Sequence, residues 1–125
     1  MIKFLPTIDA PANTKLPQRS TQFSAGYDFY APTDIFVPAG GESVLIPLNI
    51  KAIMPGDMVL MLFIRSSLAV KFNLSLVNSV GIIDSDYANN QDNDGNIGVK
   101  FRNNGSETII EASAVRGGGY GSTGR

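Results

Sequence analysis

Proline and glycine set the outer limit on what this chain can build. Seven prolines and thirteen glycines are scattered through 125 residues and cut the apolar sequence into short pieces. Inside a helix a proline removes a hydrogen bond, and a glycine costs about 1 kcal/mol against alanine. No stretch sustains a helical period for three turns. The pieces between the breakers have the length and residue types of strands. Ile2-Lys3-Phe4, Ile35-Phe36-Val37, Val44-Leu45-Ile46 and Leu74-Ser75-Leu76-Val77 read as short strands, each ended by turn residues. Met58 through Ile64 is apolar at every position, which predicts a central strand covered on both faces. Ile97 through Arg102 alternates instead, with one wet face. Many short strands at this spacing predict an all-β domain, a sandwich, jelly roll or barrel with at most one short helix.

The residues that are missing narrow the chemistry. Without cysteine there is no disulfide framework and no thiolate metal site. Without histidine the usual general base, the usual zinc ligand and any Ser-His-Asp arrangement are gone. Acid–base work must fall to a carboxylate, a tyrosine or a lysine, and any metal must be a hard cation held by oxygen, magnesium being the natural one. The net charge of −1, with both signs mixed along the chain, argues against a nucleic-acid surface but leaves room for a small anion gripped by a few arginines. No apolar run approaches the about 20 residues that span a bilayer, so no membrane segment is expected. Met1 through Pro6 lacks the long apolar region of a secretory leader, and a cytoplasmic protein is the expectation.

Chemistry-bearing residues gather in four stretches. In Asn78-Ser79-Val80-Gly81-Ile82-Ile83-Asp84-Ser85-Asp86-Tyr87 an apolar run ends in two carboxylates and a phenol. A carboxylate at the edge of a core is partly desolvated and still reaches a ligand; the same pattern also suits a plain hairpin with both aspartates solvated. Ala25-Gly26-Tyr27-Asp28-Phe29-Tyr30-Ala31 alternates, placing Tyr27 and Phe29 on one face and Asp28 on the other, toward a cleft or simply toward solvent. The segment before it, residues 6–24, reads as an extended arm. Arg65-Ser66-Ser67-Leu68-Ala69 follows the apolar strand, and its serines can cap a short helix running to Phe72 with Leu68 and Phe72 on one face. Hydroxyls and an arginine there make a phosphate seat, or a capped turn with a surface arginine. The end, Arg116 through Arg125, has five glycines in its last nine residues. It reads either as a loose tail or as an arm that closes over a phosphorylated ligand. Asn90-Gln91-Asp92-Asn93-Asp94-Gly95 imitates the start of an EF-hand, but Phe101 stands where that loop needs glutamate, so it is expected to be a solvated loop.

In this order the four stretches resemble motifs one, two, three and five of the trimeric dUTP diphosphatase (dUTPase) family. The resemblance implies a jelly-roll-like β fold over residues 1–115, with 116–125 as the closing arm. It also implies a homotrimer whose active sites are shared between subunits, with dUTP as substrate and Mg2+ as cofactor. Carried onto this sequence, Asp84 holds the deoxyribose 3′-hydroxyl and orients or deprotonates the attacking water. Tyr87 packs under the sugar and excludes a 2′-hydroxyl. Asn78 and the hairpin backbone at Gly81 and Ile83 read uracil. Arg65, Ser66 and Ser67 hold phosphates, and Asp28 reaches the magnesium through water. Tyr120 stacks on uracil, Arg116, Ser122 and Thr123 bind the γ-phosphate, and Gly121 belongs to the same substrate-binding arm.

The resemblance has one gap. The family's fourth motif, which carries a glutamine that helps place the water, should lie between Ile110 and the arm. Only Glu111-Ala112-Ser113-Ala114-Val115 stands there. Either the chain is shortened at this point or a segment lies outside the sequence at hand. A true deletion implies weak hydrolysis with nucleotide binding partly kept, which would suit a second reading, a dUTPase-like module that regulates a partner protein. A third reading is a dCTP deaminase relative, which shares the Arg-Ser-Ser stretch but needs a glutamate near the base. Glu42, Glu107 and Glu111 fall in none of the motifs.

Overall fold

Antiparallel pairing between distant strands makes the frame. The computed structural model describes residues 1–112, in ten short strands and one helix. Strand β1 (Lys3–Pro6) pairs with β4 (Ile50–Ile53), and β2 (Ile35–Val37) with β10 (Thr108–Ile110). Strand β3 (Ile46–Pro47) pairs with β8 (Gly98–Val99), and β5 (Val59–Leu62) with β7 (Gly81–Asp84). Strand β6 (Leu74–Leu76) pairs with β9 (Phe101–Asn103). Every ladder is antiparallel, so the expected all-β class with one short helix is the class found.

Alternation sets the core. Ile97, Val99 and Phe101 point inward while Gly98 and Arg102 face out, as the period-two pattern predicts. They meet Ile35 and Val37 from β2, Leu48, Ile50 and Ala52 around β4, and Leu74 and Leu76 from β6. Phe4 closes one end, with Tyr27 and Phe29 packed edge-on at 5.1 and 5.4 Å between ring centres. Tyr27 and Phe29 therefore share a face. Asn103 is the one fully buried amide, and it is satisfied. Its Nδ2 donates to the carbonyls of Val37 (3.0 Å) and Ser106 (2.7 Å), and its Oδ1 accepts from the Gly105 N–H (2.8 Å).

Four expectations need correction. Met58–Ile64 is not a doubly covered strand. Only Leu62 is buried, while Val59, Met61 and Phe63 are each about half exposed, because among the described residues β5 has a single ladder neighbour, β7, and its outer face is left partly open. Val44 and Leu45 lie outside β3, exposed. The segment 6–24 is not a free arm. Thr7 and Pro17 are buried, the Thr7 N–H donates to the Asn49 carbonyl, and Gln18 exchanges backbone hydrogen bonds with Asp28. In the helix α1 (Ser66–Phe72), Ser66 and Ser67 are the first helical residues and the N-cap is Arg65, with no side-chain capping bond. Of the pair expected on one face, Leu68 packs on the core and Phe72 stays 45% exposed. The helix ends at Asn73, whose left-handed φ of 56° turns its N–H to the Leu68 carbonyl.

Candidate functional site

The β5–β7 ladder arranges the candidate residues. Leu62 pairs with Gly81 at one end and Val59 with Asp84 at the other. Three steps of about 3.4 Å separate the ends by about 10 Å. Arg65, Ser66 and Ser67 leave the ladder at the Gly81 end, where Asn78 also sits, exposed, in the turn before β7. Gly81 is buried there because Leu62 lies across it; an added Cβ would stand 3.1 Å from the Leu62 Cβ. Asp84 marks the opposite end, and a turn closed by the Tyr87 N–H on the Asp84 carbonyl (3.1 Å) brings the phenol round beside it.

There the chain forms a cavity of about 440 Å³ whose walls include Ile83, Asp84, Tyr87, Asn93, Asn96 and Leu45. Of the predicted site residues, Ile83, Asp84 and Tyr87 are brought together. Asp84 itself is exposed, so the described residues do not bury it at the edge of the core. Tyr87 is held at both ends of its polar tip: the hydroxyl donates to the Asn96 carbonyl (3.1 Å) and accepts from Asn93 Nδ2 (2.7 Å).

The segment that supplies these partners is the expected solvated loop, and it is far more ordered than that. Asn90 Oδ1 accepts from the N–H groups of Asp92 and Asn93, both at 2.9 Å, while its Nδ2 donates to the Tyr87 carbonyl at 2.8 Å. Asn93 Oδ1 accepts from the Gly95 N–H at 3.0 Å. The Asp94 carboxylate takes the Lys51 ammonium at 2.9 Å and the Ile8 N–H at 2.9 Å, and both interactions hold its pKa below the usual carboxylate value, the lysine bond first. Gly95 has φ +82° and packs directly against Ala88 and the Tyr87 carbonyl. Sequence reasoning missed Asn93 and Asn96. The signal was Asp94-Gly95, a glycine placed where a left-handed turn tightens a loop, inside a run of amides that can bond their own backbone.

The remaining candidates lie elsewhere. Asp28 is buried, at 4% exposure, and lines a separate apolar cleft with Ser20, Ser24, Met58 and Met61. It therefore faces a cleft rather than open solvent, and that cleft is not the cavity Asp84 lines. Burial and the Asp28 charge together raise the pKa of the neighbouring Tyr30 phenol, burial contributing more. Arg65 is 7% exposed, so it is no surface arginine. Among the described residues no cluster of three or more Asp, Glu, His or Cys is placed to hold a metal ion, and no helix is long and apolar enough to cross a membrane. Arg116, Tyr120, Gly121, Ser122, Thr123 and the boundary at residue 115 fall outside the described residues.

Comparison with known proteins gives this geometry its setting. A family model for dUTPase matches residues 12–114. A deoxyuridine 5'-triphosphate nucleotidohydrolase of Lactococcus lactis is 45% identical over 100 residues, which cover 79% of this chain and 65% of the relative. One of Desulfitobacterium hafniense is 40% identical over 98 residues, covering 77% and 61%. The chain thus spans a little under two thirds of the length of these curated relatives. The crystal structure of a dUTPase from Streptococcus mutans superposes with a TM-score of 0.81 at 38% identity, covering 94% of this chain and 88% of that one. Fold and sequence agree, and the chain belongs to the dUTPase family.

Proposed function

We propose that this chain hydrolyses dUTP to dUMP and pyrophosphate, a reading supported by relatives named deoxyuridine 5'-triphosphate nucleotidohydrolase. The observation that supports this reading is the cavity in which the Asp84 carboxylate, at the end of β7, stands with the oriented phenol of Tyr87 from the turn that follows. Its volume suits a nucleoside. Asp84 takes a proton from a water, whose oxygen attacks the α-phosphorus. The bond from that phosphorus to the bridging oxygen of the β-phosphate breaks, and pyrophosphate leaves. Asp84 also accepts the 3′-hydroxyl, while the Tyr87 ring lies under the sugar where a ribose 2′-hydroxyl would collide. Asn78 and the backbone at Gly81 and Ile83 read uracil by fixed donors and acceptors.

Arg65, Ser66 and Ser67 bind phosphate oxygens, and most of the rate comes from positioning and charge neutralisation. The donor set fits magnesium of the kind that arrives on a triphosphate and keeps its waters, since Asp28 is a single carboxylate and no protein cage stands among the described residues. When bound, the ion neutralises phosphate charge, and Asp28 would hold it through water.

The protein works as a homotrimer in this reading. Among the described residues Asp28 and Asp84 line two different cavities, and Val59, Met61 and Phe63 on β5 and just beyond it are about half exposed. Both features are met if neighbouring subunits complete each site. Residues 116–125 serve as the arm that closes over it, with Tyr120 on the base, Arg116, Ser122 and Thr123 on the γ-phosphate, and Gly121 in the same substrate-binding arm. A cytoplasmic location belongs to the same proposal, because the substrate is a nucleotide of the intracellular pool.

The test is pyrophosphate release from dUTP, dCTP, dTTP and UTP with magnesium, alongside sedimentation of the protein. Release from dUTP alone by a trimer is expected. Ammonia from dCTP would instead make it a deaminase, and a monomer with full turnover would remove the shared site.

A further inference from the structure

We infer that the loop Asn89–Asn96 is a positioning device for Tyr87, and that Asn93 sets how strictly the protein rejects a ribose. The inference rests on the proposed role of Tyr87 as the group beneath the sugar. A phenol ring rejects a 2′-hydroxyl only if it cannot turn aside, and an exposed tyrosine ring rotates freely. Here the ring is fixed at its far end. Asn93 Nδ2 donates to its hydroxyl, and that hydroxyl donates to the Asn96 carbonyl, so both roles of the oxygen are taken.

Asn93 is itself fixed. Its Oδ1 accepts from Gly95 N–H and Asn90 Nδ2, and its N–H donates to Asn90 Oδ1. The loop is then tied to the frame, because Asp94 and Asn89 both bind the Lys51 ammonium on β4 and Asp94 also accepts the Ile8 N–H. Selectivity at the sugar is thereby carried from β4 through the loop to the tip of the phenol. Asn93 is a positioning residue that acts through Tyr87.

The experiment measures kcat/KM for dUTP and for UTP in the full chain, in Asn93→Ala, in Tyr87→Phe and in the double variant. The dUTP-over-UTP ratio should fall about tenfold in Asn93→Ala, the effect of about 1.4 kcal/mol. UTP turnover should improve while dUTP turnover declines. A merely structural loss would lower both together and leave the ratio unmoved. In the Tyr87→Phe background, which has no hydroxyl to hold, Asn93→Ala should change the ratio no further. An unchanged ratio in Asn93→Ala, or a full second drop in the double variant, would overturn the inference. Should Asn93→Ala fail to fold, Tyr87→Phe reads the same bonds from their other end, and wild-type selectivity there is equally fatal. No preference for dUTP in the wild type would defeat the proposed role of Tyr87 itself, a separate outcome.

Discussion

Replacing Gly95 by alanine tests whether the loop at the site is as tightly built as its hydrogen bonds imply. The new Cβ would stand 2.5 Å from Ala88 Cα, 2.9 Å from the Tyr87 carbonyl oxygen and 3.1 Å from the Asn89 nitrogen. All three are backbone atoms, so no side-chain rotation relieves the overlap. Carbon atoms in contact prefer about 3.5–4.0 Å, so the backbone has to move by about 1 Å. Two costs add: about 1–2 kcal/mol for an L-residue in the left-handed region, and about 1–3 kcal/mol for overpacking. Gly40 separates them. It has φ +68° with nothing within 4 Å of its would-be Cβ, so Gly40→Ala carries only the first cost. Gly95→Ala should therefore be the less stable of the pair by about 1–3 kcal/mol. In urea, at a denaturant slope of about 2 kcal/mol/M, the midpoints should differ by about 0.5–1.5 M. Both variants are unfolded at one fixed protein concentration, because assembly shifts apparent stability. Midpoints within about 0.2 M of each other would refute the packing argument, since the slope converts that gap to under 0.5 kcal/mol.

Two further predictions follow from buried and charged groups. Asn103→Leu should lower stability by about 3–5 kcal/mol, because it strands the Val37 and Ser106 carbonyls and the Gly105 N–H; a urea midpoint within 0.2 M of wild type, on the order of measurement error, would contradict this. The Asp94 carboxylate is held below its ordinary pKa, so its contribution is present above the unfolded value and is lost as pH falls through the folded one. Asp94→Asn should flatten the acid limb of a stability–pH curve between neutral and strongly acid solution, and an acid limb parallel to wild type would count against the Lys51 and Ile8 contacts.

Much of this was legible in the sequence because it rests on local pattern. Ile97 through Arg102 alternates, and the fold alternates with it. Ile2-Lys3-Phe4 and Ile35-Phe36-Val37 became β1 and β2 within a residue or two. The strand and turn carrying Asp84 and Tyr87 were readable because turn residues follow an apolar run, but the strand is no hairpin arm: it pairs with β5, across α1 and β6. What failed depended on distant partners. Seven apolar residues at 58–64 predict burial on both faces, and a partly open β5 face emerges only once its ladder neighbour among the described residues is known. For Asp28 and Arg65 the string left a cleft or phosphate seat and a surface position both open; their burial depends on segments far away in the chain. Asn93 was missed for a different reason. Its role lies in one hydrogen bond six residues back, to a hydroxyl whose position the loop itself creates.

The most direct test of the proposed chemistry is a comparison of wild type with Asp84→Asn, an exchange of nearly equal size that removes only the carboxylate's charge and basicity. Pyrophosphate release from dUTP is measured with magnesium, beside binding of a non-hydrolysable dUTP analogue. The account predicts selective hydrolysis by the wild type, loss of turnover by at least about a hundredfold in the variant, and analogue affinity kept within about tenfold, or 1.4 kcal/mol. Equal turnover by the two proteins would contradict the role given to Asp84. A folded wild type that binds the analogue and releases no pyrophosphate would contradict the enzyme itself.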